Sequence, residues 1–170
     1  MALVHATTLQ KLSLDDMIQQ STGIVRAKVI GSRAALRGQN IYTYYRLQVL
    51  EAAKSGAVQQ AVRQQTKDIE VAVPGGMVDG IRQIAVGSPE LTPGSEYVLF
   101  LWTSKSGLTQ IIGLSQGLFR TSKDTSGTIR LTRAAESEPM VDKSGRSVPG
   151  QALDLTWNEL RSKIQKELKK

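Results

Sequence analysis

At 170 residues and 18.5 kDa the chain is one domain's worth, and 40% hydrophobic with 22% charged residues is a globular profile, not a disordered one. Cysteine is absent and histidine occurs once, as His5, which excludes disulfide frameworks, cysteine-based zinc sites, cysteine nucleophiles and nearly every mechanism built on imidazole. Twenty-two Lys and Arg against fifteen Asp and Glu leave a formal charge of +7, a balance that suits a polyanionic partner.

No window approaches the roughly 18 consecutive apolar residues of a membrane-spanning helix. A complete signal peptide is also missing, because no basic region and long apolar stretch open the chain. Val4 and Ala6 nevertheless fit the small-residue pattern that precedes a signal-peptidase cut. Residues 1–12 therefore read as the remnant of a leader or as a flexible N-terminus, and residues 13–170 as one domain. Export, to a periplasm or the outside, is the expected localisation.

The first element is a short helix. Ser13 can cap it and Asp16, three residues on, completes a capping box, with Leu14, Met17 and Ile18 as its apolar face. Gly23 then switches the periodicity from helical to alternating. Residues 24–35 read as a strand, with Val25, Ala27 and Val29 alternating against Arg26 and Lys28. A polar break at 37–40 leads into a second long strand over 41–53, rich in Tyr, Thr, Val and Leu. Two strands this long, tightly joined, predict a curved hairpin of the kind that starts a small barrel.

Residues 55–67, rich in Gln and Ala, read as an insertion, either an exposed helix or a loop. A third strand is expected over 68–73, stopped by Pro74-Gly75-Gly76, and a shorter one over 81–86. The run Tyr97-Val98-Leu99-Phe100-Leu101-Trp102 lies in a strand over 96–103, and its unbroken apolar character predicts burial on both faces. Turns at 105–107 and 124–127 separate strands over 108–114, 117–121 and 128–133. Residues 134–150, polar and punctuated by Pro and Gly, read as a surface connection. Thr156 with Glu159 caps a last helix over 156–169, whose stripe is Trp157, Leu160, Ile164 and Leu168.

Several stretches carry a family resemblance. They are Ile24-Val25-Arg26-Ala27-Lys28-Val29, the run 41–51 from Ile41 to Glu51, Lys67-Asp68-Ile69-Glu70-Val71, and Pro93-Gly94-Ser95-Glu96-Tyr97-Val98-Leu99-Phe100-Leu101. Over about residues 13–121 this order resembles the netrin-like modules that include the tissue inhibitors of metalloproteinases. It is also similar to a group of uncharacterised exported bacterial proteins with the same strand pattern. The resemblance implies a mainly β fold, an OB-type barrel with a short N-terminal helix and a C-terminal amphipathic helix. The animal inhibitors chelate their target's zinc through an N-terminal cysteine. This chain has none, so no inhibitory residue carries over.

Candidate chemistry is sparse. The carboxylate pairs Asp15-Asp16, Asp68 with Glu70, and Glu136 with Glu138 read as solvated surface, not as a converging acid–base pair. Gly113-Leu114-Ser115-Gln116-Gly117 has the G-x-S-x-G form, but strand follows strand there and no histidine lies downstream. Ser115 instead reads as a bulge joining two strand halves. The helix cations Arg161, Lys163, Lys166, Lys169 and Lys170 complement a helix C-terminus.

One constellation could bind. If Val25, Ala27, Val29, Tyr45, Leu47 and Val49 point inward, then Arg26, Lys28, Tyr42, Tyr44 and Arg46 share the outer face. OB barrels use such a basic, aromatic surface to bind single strands. Strand propensity alone also accounts for these residue types. The expectation is thus a non-catalytic binding or interaction module, without metal or cofactor, whose partner is a protein or other macromolecule. A single-strand nucleic-acid binder is the first alternative and a protease-inhibitor-like protein without the chelating cysteine the second.

Overall fold

The computed structural model describes residues 8–56 and 68–169. His5, Val4 and Ala6, and nearly all of the expected insertion at 55–67, lie outside them. Over the described residues the fold is mainly β with two helices. In chain order it runs β1 (Leu9–Gln10), α1 (Leu14–Gln20), β2 (Gly23–Arg37), β3 (Asn40–Lys54), β4 (Asp68–Pro74), β5 (Gly76–Val78), β6 (Ile81–Gln83) and β7 (Glu96–Thr103). It continues with β8 (Thr109–Ile111), β9 (Leu118–Lys123), β10 (Ile129–Arg133), β11 (Met140–Val141), β12 (Ser147–Val148), β13 (Leu153–Thr156) and α2 (Trp157–Glu167).

Both helices begin as their sequences dictate. The Asp16 N–H donates to Ser13 Oγ at 3.0 Å while Asp16 Oδ2 accepts from the Ser13 N–H at 3.1 Å. Thr156 and Glu159 repeat the reciprocal pair at α2. At the other end of α1, Lys54 Nζ donates to the Ile18 carbonyl at 2.8 Å, satisfying an acceptor the helix leaves free.

The main sheet has the strand order β13-β10-β9-β7-β2-β3-β4, all antiparallel, with β8 as a branch on β7. β8 and β9 occupy the same edge of β7 in succession, β9 on Tyr97–Leu99 and β8 on Leu101–Thr103. A 3-10 turn over Leu114–Gly117 joins them, where the sequence predicted a bulge. Three register shifts along the β2–β3 ladder, the last between Val29 and Gly31, mark bulges that add bend and twist to a long hairpin. The strand order leaves β4 with a partner on one side only, and β8 packs beside its other edge.

Curling the sheet gives it two cores. Val25, Ala27, Val29, Tyr45, Leu47, Val71, Tyr97 and Leu99 fill the inner one, with the inward set of β2 and β3 as the alternation predicts. Val98 and Phe100 point the opposite way. They meet Ile24, Phe119 and Leu131 under Met17 and Ile18 of α1 and Trp157, Leu160 and Ile164 of α2. That is why β7 reads as a continuous apolar run: five consecutive residues, Tyr97 to Leu101, are at most 2% exposed, whereas Trp102, expected to be buried with them, is 44% exposed.

Four expectations are corrected. Leu9 and Gln10 do not precede the fold but pair in parallel with Met140 and Val141, and Leu9 is buried. The supposed surface connection 134–150 accordingly contains β11 and β12 and buries Met140. The strand expected over 81–86 stops at Gln83 and pairs with β5. Leu168, expected to complete the buried stripe of α2, is 54% exposed although its N–H still donates to the Ile164 carbonyl at 3.0 Å.

Three hairpin turns share one design. Ser104-Lys105-Ser106-Gly107-Leu108, Asp124-Thr125-Ser126-Gly127-Thr128 and Asp142-Lys143-Ser144-Gly145-Arg146 each place glycine at φ near +80°. In each, the first residue's side chain accepts from the N–H of the fifth, at 3.1, 2.9 and 3.0 Å.

Candidate functional site

The outer strand face predicted from the sequence exists, but its members are divided among different tasks. Arg26 donates to Glu96 at 2.9 Å and lies 3.4 Å from Glu51. Glu51 also accepts from Trp157 Nε1 at 2.8 Å and pairs with Arg161 at 3.0 Å. Arg26 therefore belongs to a network that ties α2 to the sheet. Tyr42 and Tyr44 lie with ring centroids 6.2 Å apart. Tyr44 is 9% exposed and carries the Arg33 guanidinium 4.5 Å above its ring, while Arg33 itself pairs with Glu70 at 2.9 Å.

Lys28 and Arg46 are exposed, and each has a carboxylate directly across a ladder, Glu96 beside Lys28 and Glu70 beside Arg46. Arg26, Lys28, Arg33 and Arg46 thus share this face with Glu51, Asp68, Glu70 and Glu96, and their charges cancel. A surface that concentrates phosphates needs a surplus of cations. The net +7 is carried elsewhere.

A different surface stands out. Of the large apolar side chains exposed among the described residues, Met77, Ile81, Ile84 and Val86 fall within ten positions, at 60, 66, 74 and 43% exposure. They lie on the β5–β6 hairpin and its exit. Leu36, at the end of β2, is also exposed, at 56%.

The hairpin is held firmly against the tip of the β2–β3 hairpin. The Gly75 N–H donates to the Ile41 carbonyl at 2.8 Å, and Thr43 Oγ1 donates to the Gly75 carbonyl at 2.8 Å. Gln83 accepts from the Ile41 N–H through Oε1 and donates to Asn40 Oδ1 through Nε2. Gly76 sits at φ +144°, where an added Cβ would stand 2.9 Å from Thr43 Oγ1 and 3.1 Å from Ile41 Cγ2.

The third feature is a buried charge pair. Glu136, expected on the surface with Glu138, has a side chain only 2% exposed, 3.2 Å from Arg133 Nε. Arg133 ends β10, which lies between β9 and β13 in the main sheet. Its guanidinium donates to the Gln116 carbonyl and, at 3.1 Å, to that of Gln151, and packs 5.4 Å from the Phe119 ring. Burial pushes the Arg133 pKa down, and the nearby Glu136 charge opposes that shift. No spacing rule finds this pair, since Glu136 follows the strand in a polar segment and its burial depends on Gly150 and Gln151 closing over it. An added Cβ at Gly150 would stand 2.4 Å from the Glu136 carbonyl.

The remaining sequence candidates separate. Asp15 pairs with Lys163 at 2.7 Å and Asp16 with Lys143 at 2.8 Å, so these carboxylates brace α1. Lys143 and Ser13 hold the Asp16 carboxyl at a pKa of about 2. Ser115 lies in the 3-10 turn after Leu114, which adopts φ +56°. Among the described residues no cluster of three or more His, Asp or Glu could hold a metal ion, and no helix is long and apolar enough to cross a membrane. No family model, curated protein or solved structure matches the chain.

Proposed function

We propose that the chain is a non-catalytic binding module that docks a protein partner through the β5–β6 hairpin. The observation that carries this reading is the exposure of Met77, Ile81 and Ile84, each 60% or more, on a hairpin pinned by side-chain and backbone hydrogen bonds. Grouped exposed apolar side chains cost solvation without a partner and mark interaction surfaces. A pinned hairpin has little conformational entropy left to lose on docking.

The finer architecture belongs to the same reading. A sheet curled around the Val25, Leu47 and Leu99 core, with β8 packed beside β4, supports an OB-type, netrin-like barrel closed by side-chain packing at that seam.

The test is a triple variant, Met77→Asp/Ile81→Asp/Ile84→Asp, compared with the wild type as immobilised bait in extracts of the source cells. Partners retained by the wild type are then purified and titrated against both. Saturable binding that weakens at least 10-fold in a variant of unchanged circular dichroism is expected. Equal binding by both would overturn the assignment.

A further inference from the structure

The apolar β5–β6 hairpin meets the tip of the β2–β3 hairpin at a cluster of cations. Asn40 accepts from Gln83 Nε2 at 3.3 Å, and that contact brings Arg37 and Arg82 together. Arg37 faces Asn40 across the β2–β3 ladder, while Arg82 adjoins Gln83 and stands directly across the β5–β6 ladder from Met77. Arg37 also donates to Ser106 Oγ at 3.2 Å, which adds Lys105 from the β7–β8 turn. All three cations are exposed. Unlike Arg26 and Arg33, none of them enters an ion pair among the described residues. One carboxylate, Asp79, lies in the β5–β6 turn, at φ +50°. Glu138 stands farther along, where a Cβ added at Gly87 would touch it, and Glu90 follows Gly87 in the chain. The end formed by Leu36, Met77 and Ile81 is therefore both apolar and cationic.

These groups distinguish four kinds of occupant. Single-stranded nucleic acid needs rings on which bases stack, and the exposed side chains here are aliphatic or Met. Tyr42 and Tyr44 lie on the other face of β3, since Ile41 and Thr43 are the residues that meet Gly76. A bilayer would be entered apex first, and the apex of this hairpin is the Asp79 carboxylate, which is costly in hydrocarbon. A second copy docking by the same patch would set the cations of each chain against those of the other, because a two-fold interface is self-complementary. A different protein with an apolar pocket and carboxylates at its rim meets both sets of groups. Its rim charges pair with the arginines and steer the encounter, its pocket takes the apolar side chains, and its backbone N–H groups can serve Asp79.

We infer that the partner docked by the β5–β6 hairpin is an acidic protein surface, an apolar pocket rimmed by carboxylates that face Arg37, Arg82 and Lys105. This rests on docking through the hairpin and adds the chemistry of what docks there.

The probe is a random peptide library displayed on phage and selected on the immobilised full chain. Recovered peptides are synthesised and titrated against the wild type, the triple hairpin variant and Arg37→Glu/Arg82→Glu, each checked for unchanged circular dichroism. Arg37→Gln/Arg82→Gln removes the same charges without reversing them and serves if the reversal does not fold. Peptides that join Asp or Glu to large apolar residues are expected. Their affinity should fall with added salt, about 10-fold on neutralising the two arginines and further on reversing them. Peptides without an acidic excess, affinity unmoved by either arginine variant, or no hairpin-dependent peptide at all would overturn the inference. Hairpin-dependent sedimentation with phosphatidylglycerol vesicles, hairpin-dependent binding of oligothymidylate, or self-association lost in the hairpin variant would overturn it equally. Peptides that need the hairpin but ignore the arginines refute the acidic partner and leave hairpin docking standing. Peptides that bind the hairpin variant as well as the wild type count against docking through the hairpin itself.

Discussion

Arg133 Nε and Glu136 Oε1 lie 3.2 Å apart with side chains 7% and 2% exposed, the most deeply buried ion pair among the described residues. Removing one partner would leave the other charged and out of water, which costs about 3–5 kcal/mol. Glu136→Ala is expected to lose that much in urea unfolding. The double variant Arg133→Met/Glu136→Leu should recover part of the loss, because no charge is then left unpaired. A loss below about 1 kcal/mol for Glu136→Ala would show that the guanidinium reaches water by itself.

Gly76 is expected to resist substitution more than Gly80, although both have positive φ. At Gly76 an alanine Cβ would press on Thr43 and Ile41, whereas at Gly80 nothing lies within 4 Å. Gly80→Ala should cost about 1 kcal/mol from backbone strain alone. Gly76→Ala should cost about 2–3 kcal/mol and should also loosen the apolar hairpin. Comparing the two by thermal unfolding, with amide exchange over 76–83, separates strain from collision.

Glu51 couples α2 to the sheet through Trp157 and Arg161 on one side and Arg26 on the other. Glu51→Ala is expected to cost about 1–2 kcal/mol, since a charged acceptor is lost from a half-exposed site. Trp157 is 3% exposed and Trp102 44%. In a Trp102→Phe background, fluorescence therefore reports Trp157 alone. Acrylamide should quench it more strongly once Glu51 is gone, and unchanged quenching would show that apolar packing alone seats the helix.

Asp16 gives the fold an acid-sensitive brace. Its pKa is lowered from 3.8 to about 2, first by Lys143 and then by Ser13. A carboxylate with a depressed folded pKa contributes its full stabilisation above the unfolded value and loses it as pH falls through the folded one. The window is therefore pH 4 down to 2. Lys143 is 69% exposed, so screening reduces the contribution to the order of 1 kcal/mol. Asp16→Asn should flatten the stability profile across that window, measured by urea unfolding, while leaving the profile above pH 5 parallel to the wild type.

Local rules reached far into this fold. The two capping boxes, the long β2–β3 hairpin and the inward set of Val25, Ala27, Val29, Tyr45 and Leu47 follow from spacing alone, and all are observed. The double-sided burial of Tyr97 to Leu101 was legible in the unbroken apolar run, but the exposure of Trp102 at its end was not. The candidate strand face was legible only as residue types. Alternation places Tyr44 and Arg26 outward, but it says nothing about Arg33 covering one or Glu51 and Glu96 neutralising the other. Gly76 could be read as a turn residue, yet the side chains it must admit come from two strands more than thirty positions away.

Sequence by itself determined the class of fold and the poverty of histidine and cysteine chemistry, because alternation, caps and residue counts act locally or additively. Only tertiary structure decided which charges are neutralised, that Leu9 pairs with Met140, and that Glu136 lies buried against Arg133. Those outcomes depend on desolvation and on partners brought together across the chain, and neither quantity is carried by the spacing of neighbouring residues.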